Sequence, residues 1–238
     1  MIETKTLLDI IRFAVGITIL FYASYTDFKT RKASNLLWLL MALIGIILLI
    51  IQFLTTGFEN LFYILFIPLM IGLIYVLYQL RLIFGGADAK ALMTIAILVP
   101  FEPTMYMFPL LKNGIMPFSW SIFSNSLIIF LFIPLSILVY NIIKKDIEFP
   151  YVFFGYKMSL KKAKEKFVWP LEKLQNGKRK FVYMPKDFDV TEELNEFEKN
   201  NITEIWVTPK IPFMIPLLIG YIFAFIFGDI LFYIFGLF

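Results

Sequence analysis

Residues 82–92 read LIFGGADAKAL. The stretch joins two long apolar runs, yet it holds Gly85, Gly86, Asp88 and Lys90. Glycine permits close backbone approach, and an ionisable residue beside a membrane-length segment is costly unless it has a task. The setting is strongly apolar. Of 238 residues 60% are hydrophobic, 28 are Phe, and the mean hydropathy is +0.79. Soluble domains are about 45–50% apolar, so the chain reads as a membrane protein with several spans.

A helix needs about 20 apolar residues to cross the hydrocarbon core. Six segments qualify: about Leu8–Thr26, Asn35–Leu54, Leu61–Ile83, a fourth starting at Asp88 or Ala89, Ser121–Ile143, and a last one from Ile211 to the C-terminus. Pro100 and Pro103 interrupt the fourth, which either stops near Val99 or kinks and continues to Leu111. No small-x-small cleavage site follows the first, which therefore reads as an anchor rather than a signal peptide.

Residues 144–210 are different. They hold 14 of the 22 Lys and Arg and 11 of the 18 Asp and Glu. A strand is expected at Phe181–Met184, a helix capped by Asp189 with Glu192 in the reciprocal position, and a strand at Ile202–Thr208. The expected architecture is an all-α polytopic membrane protein of about six transmembrane helices, with a small α+β insert before the last. The divisions fall at 1–143, 144–210 and 211–238. With six spans, Lys29, Arg31, Lys32, Arg81, Lys90, Lys144 and Lys145 share one side, against Lys5 and Lys112 on the other. The positive-inside rule makes the first side, and the insert with it, cytoplasmic.

Cysteine and histidine are both absent. Their absence excludes thiol nucleophiles, disulfides, histidine bases and nearly all common zinc sites. The net charge of +4 is modest and indicates no nucleic-acid partner. What remains is carboxylate chemistry. Asp27 closes the first span and Asp88 opens the fourth, so both lie at the cytoplasmic boundary. Two facing carboxyl groups share one proton, and such a pair can activate water and polarise a peptide carbonyl without metal or cofactor.

Blander readings stand beside this one. Asp88 alone fits the N-cap of the fourth helix. Asp27 ends a helix, where the macrodipole disfavours an anion, so capping does not explain it. The glycine pair alone is a loop, but next to Asp88 it offers an extended substrate backbone close approach. Asp229, in FGDILF, reads as interfacial. The acidic run Glu192, Glu193, Glu196 and Glu198 reads as a solvated helix face. Tyr22 and Tyr25 read as interfacial aromatics.

Gly85-Gly86-Ala87-Asp88 resembles the GxGD signature of intramembrane aspartyl peptidases, with alanine for the second glycine. Lys90 matches the lysine two positions after the aspartate in the type IV prepilin peptidases and their archaeal relatives. Residues 27–35, DFKTRKASN, resemble the other half of that signature: an aspartate, a basic stretch, and an asparagine opening the next helix. The layout is similar to the archaeal preflagellin peptidase branch. The resemblance implies Asp27 and Asp88 as the catalytic pair, with Gly85, Gly86 and Lys90 in the adjoining loop. It implies as substrates preflagellin or pilin-like precursors with a short basic leader before an apolar helix. No CxxC module is present, so the methyltransferase activity of many bacterial members is not implied. Two other classes stay open: a proton- or ion-coupled transporter using membrane carboxylates, and a structural anchor for the insert. Nothing in the sequence indicates the oligomeric state.

Overall fold

A computed structural model describes residues 2–58, 62–83, 85–111, 116–175, 177–182, 190–210 and 212–236. In chain order the helices are α1 (Ile2–Thr30), α2 (Asn35–Thr55), α3 (Phe62–Gln79), α4 (Gly86–Leu98) and α5 (Phe118–Lys144). There follow α6 (Tyr151–Phe154), β1 (Tyr156–Ser159), α7 (Leu160–Glu165), β2 (Val168–Pro170), β3 (Glu172–Gln175) and β4 (Lys178–Phe181). The chain continues through α8 (Thr191–Lys199), β5 (Glu204–Pro209), α9 (Met214–Phe227) and α10 (Ile230–Phe235). Among the described residues four helices are long and apolar enough to cross a membrane: α1, α2, α3 and α5. This is the composition of a membrane protein. The helices α4 and α9 are shorter, at 13 and 14 residues.

The chain forms two compact units, 1–130 with 212–238, and 131–211, so α5 contributes to both. In the first unit α4 lies among α1, α2 and α3. Its residues Ala89, Ala91, Leu92, Ile95, Ala96 and Leu98 are all buried. A helix enclosed by other helices needs no polar face, which is why α4 shows no amphipathic stripe. Small residues let it pack closely. A Cβ on Gly45 of α2 would lie 2.9 Å from Leu98 Cα, so α2 and α4 touch backbone to backbone. Gly45→Val is expected to destabilise the protein by about 1–3 kcal/mol, the usual cost of overpacking, as read from thermal unfolding in detergent.

Pro100 settles the course of the fourth segment. The helix stops at Leu98, with Val99 as its cap, and does not continue to Leu111. The last segment, expected as one helix, is two. Gly228 takes φ +90°, a conformation that favours glycine, and a Cβ there would lie 2.0 Å from Leu111 O. Asp229 then caps α10, accepting from Phe232 N at 3.2 Å. Asp229, which the sequence reads as interfacial, is fully buried within the protein, beside Ser124 Oγ at 3.3 Å.

A second buried polar cluster sits near the start of α1. Arg12 donates to Asp9 Oδ1 at 2.8 Å and to Gln52 Oε1 at 2.7 Å. Asp9 Oδ2 also accepts from Thr104 N at 2.8 Å. Tyr221 Oη donates to Arg12 O at 2.8 Å and lies against Gly16. An apolar interior makes an unpaired charge very costly, so this cluster ties α1, α2, α9 and the 101–104 segment into one arrangement.

The second unit is the α+β element expected from the polar insert. An antiparallel sheet runs β1-β5-β2, with Met158 opposite Ile205 and Pro170 opposite Val207. A separate hairpin pairs β3 with β4. Helices α7 and α8 are joined by Lys164–Glu198 at 2.6 Å and cover a core containing Met158, Leu160, Leu194, Phe197 and Ile205. Buried Glu172 receives Arg179 at 2.6 and 2.7 Å and Trp206 N at 2.7 Å. Strand β5 falls where alternation placed it, at Glu204–Pro209 rather than Ile202–Thr208. The strand expected at Phe181–Met184 lies earlier, at Lys178–Phe181, and residues 183–189, including Asp189, are outside the described residues. Val190 holds the cap position of α8, without a side-chain cap bond.

Candidate active site

Both signature segments belong to the first unit. Asp27 lies in the last turn of α1, inside the helix rather than beyond it, and is half-buried. The helix ends where Arg31 turns left-handed at φ 56°, its amide donating to Asp27 O at 2.9 Å. The Arg31 charge acts on the Asp27 carboxyl. Ser34 then caps α2, accepting from Leu36 N at 3.3 Å, so only four residues separate the two helices. This short, capped connection fixes where Asp27 stands relative to α2.

Asp88 is the third residue of α4 and is half-buried. It is not the cap. Gly85 occupies that position, with φ −87° and ψ 117°, and its carbonyl accepts from Ala89 N at 3.0 Å. The role of Gly85 is visible in the space it leaves. A Cβ there would lie 2.0 Å from Asp88 Oδ2 and 2.7 Å from Asp88 Cγ. The Asp88 carboxyl is folded back over the Gly85 Cα, into room that a side chain would fill. The sequence reading reserved that room for a substrate backbone; the aspartate itself uses it.

The helices α1 and α4 pack together, and the charge of Asp27 acts on Asp88. Two acids 61 positions apart are thus brought within electrostatic reach. Lys90 does not join them. Its Nζ donates to Asn35 Oδ1 at 2.8 Å, linking the first turn of α4 to the first residue of α2. This bond joins the two signature segments directly. Lys90→Met removes one exposed bond worth about 1 kcal/mol, so cleavage is expected to fall only about fivefold. Asn35→Ala should match it, and the double variant should be no worse than either.

Gly86 opens onto a residue that sequence reasoning missed. A Cβ at Gly86 would lie 3.3 Å from Tyr78 Oη. Tyr78 is in the last turn of α3. Tyr25, by contrast, lies against the Lys29 ammonium, 4.5 Å from its ring centre, on the exposed side of α1.

The architecture has known relatives. A family model described as the Type IV leader peptidase family matches residues 14–143, which contain both aspartates. A second, the archaeal peptidase A24 C-terminus type II, matches residues 147–230. The chain is 31% identical to the preflagellin peptidase of Methanococcus maripaludis, over 92% of this chain and 96% of that one. It is 28% identical to the preflagellin peptidase of Methanocaldococcus jannaschii, over 92% and 94%. The same figure holds for that of Methanococcus voltae, over 92% and 96%. The transporter reading finds no support in these likenesses. The Asp27 end of helix α1 and all of helix α4 with Asp88 lie inside the longer match, which covers more than half of the chain, and this protease belongs to the type IV leader peptidase family.

Proposed function

We propose that the chain is a membrane aspartyl endopeptidase of the GxGD type, which removes the short basic leader from preflagellin or pilin-like precursors. The reading is supported by the packing of α1, which carries Asp27, against α4, which carries Asp88. The preflagellin peptidases among its relatives supply the substrate class.

The chemistry follows from a carboxyl pair holding one proton. The ionised aspartate takes a proton from water as the water oxygen attacks the scissile carbonyl carbon. The protonated partner gives its proton to the carbonyl oxygen, so a neutral tetrahedral gem-diol forms. Its collapse breaks the C–N bond, with one aspartic acid protonating the departing amine and the other carboxylate recovering a proton from the diol. Each proton taken is returned, and the pair is ready for another turnover. Gly85 gives the Asp88 carboxyl its place, and Arg31 and the Lys90–Asn35 bond hold the two helix ends.

Six crossings fit this arrangement. At 1.5 Å per residue α4 spans about 20 Å, short of the ~30 Å hydrocarbon core. It is enclosed by α1, α2 and α3, and irregular backbone at membrane depth is tolerated where protein surrounds it. The segment after Leu98 would complete that crossing, and α9 with α10 the last. By the positive-inside rule residues 144–210, Asp27 and Asp88 would then face the cytoplasm. The substrate's apolar helix would stay in the bilayer while its basic leader reaches the acids. Mass spectrometry of a membrane-bound preflagellin incubated with the purified protein tests the reading. One cut at the junction of leader and apolar helix is expected; an intact precursor, or scattered cuts in the polar domain, would refute it.

A further inference from the structure

Helix α5 does not end its apolar surface where it ends its helix. Leu135, Val139, Ile142 and Ile143 are exposed along its C-terminal half. Lys144 and Lys145 follow, and Lys145 closes the helix at φ 63°, with Asp146 N donating to Asn141 O at 3.0 Å. A charged pair usually marks where a span leaves the bilayer. Beyond it, however, Ile147 is 70% exposed, Phe149 80% and Phe153 39%. The two phenylalanine rings meet edge to face at 6.1 Å.

Asn141 explains where these side chains lie. It is fully buried, and its Nδ2 donates to Val152 O at 3.0 Å and to Gly155 O at 2.6 Å. The turn and α6 are thereby pinned back beside the last turn of α5, rather than extending away from it. Tyr140 and Tyr156 pack edge to face at 5.9 Å across the same junction. The acids of the turn are not left as bare charges: Lys157 lies 3.3 Å from Asp146 and 3.9 Å from Glu148. The result is an apolar tip with exposed lysines at its edge, held at the depth of the end of a membrane helix.

We infer that Ile147, Phe149 and Phe153 form an interfacial foot that sits in the headgroup–acyl boundary of the lipid bilayer, fixed there by Asn141. The inference rests on α5 crossing the membrane. Its occupant is lipid because the apolar surface resumes beside the exposed apolar face of α5, and because lysines flank it. Aromatic and aliphatic side chains partition into that boundary, while lysines beside them reach the headgroups. The foot ties residues 151–159, and β1 with them, to the membrane surface by a contact other than the spans.

The chain has no cysteine, so one introduced cysteine takes one probe. Phe149→Cys, Phe132→Cys on the exposed face of α5 and Lys178→Cys on β4 are each labelled with an environment-sensitive fluorophore. The full chain is placed in phosphatidylcholine–phosphatidylglycerol vesicles. Probes at 132 and 149 should be quenched by nitroxide-bearing lipid and shielded from aqueous iodide, with the probe at 178 showing the reverse. Adding Asn141→Ala should shift the probe at 149 several-fold toward iodide and leave the probe at 132 unchanged. A probe at 149 as open to iodide as that at 178, with 132 still quenched by lipid, overturns the foot and leaves the span intact. Loss of lipid quenching at 132 overturns the span reading and the foot together. Cross-linking between Phe149→Cys chains without lipid quenching gives the patch to a second copy and also overturns the inference.

Discussion

Asp27→Asn and Asp88→Asn should each slow preflagellin cleavage by about 10²–10⁴-fold, the range that one positioned acid–base group supplies. Asparagine keeps the shape of the side chain but neither takes a proton from water nor carries one to a carbonyl. Losing either member therefore stops the cycle at a different step with the same outcome. Folding should not suffer. A charge in a half-buried setting is costly, and a neutral amide of the same shape removes that cost. Thermal unfolding in detergent should stay level or rise slightly for each variant, as is common where function costs stability. A variant that unfolds early and loses activity in proportion would point to a structural aspartate instead.

Gly85→Ala should separate activity from stability more sharply. The added methyl group falls on Asp88 Oδ2 and Cγ, the end of a side chain able to swing away. No backbone strain opposes the change, because Gly85 sits at φ −87° and ψ 117°, where any residue is at ease. The fold should therefore lose less than about 1 kcal/mol, the size of an ordinary surface change. The Asp88 carboxyl, however, must leave its place. A displacement of about 1 Å costs an active site roughly 10²-fold. The loss should appear in kcat rather than KM, since the substrate's apolar helix is bound elsewhere. Gly86→Ala is the control. Its methyl group would meet the hydroxyl end of Tyr78, nearest at Oη, 3.3 Å away, and should cost far less. Equal losses from both glycines would mean that backbone flexibility, and not room for Asp88, is what the pair provides.

The contrast between the two glycines shows what a sequence can carry. Length and apolarity made α1, α2, α3 and α5 readable, because crossing a bilayer demands a long run that nothing else in the chain imitates. Pro100 and Pro103 left two courses open for the fourth segment, and the structure shows the helix ending at Leu98. The break at Gly228 was missed because apolar residues continue on both sides of it. It depends on Leu111 O, which is 117 positions away. The Asp9–Arg12–Gln52–Thr104 cluster was likewise invisible, since its members reach from three separate segments. At the site, residue types and their distance from the span ends singled out Asp27 and Asp88 as candidates. The partner of Lys90 and the position of Tyr78 did not follow, because both depend on the way α4 enters among its neighbours.

The central claim is that Asp27 and Asp88 work as one unit on one water. Single-turnover cleavage of a membrane-bound preflagellin by the wild type, the two asparagine variants and the double variant tests it most directly. Groups that act together are strongly non-additive. The account predicts that the Asp27→Asn, Asp88→Asn double variant is no slower than the slower single variant. Losses that multiply, or either single variant cleaving at the wild-type rate, would contradict it.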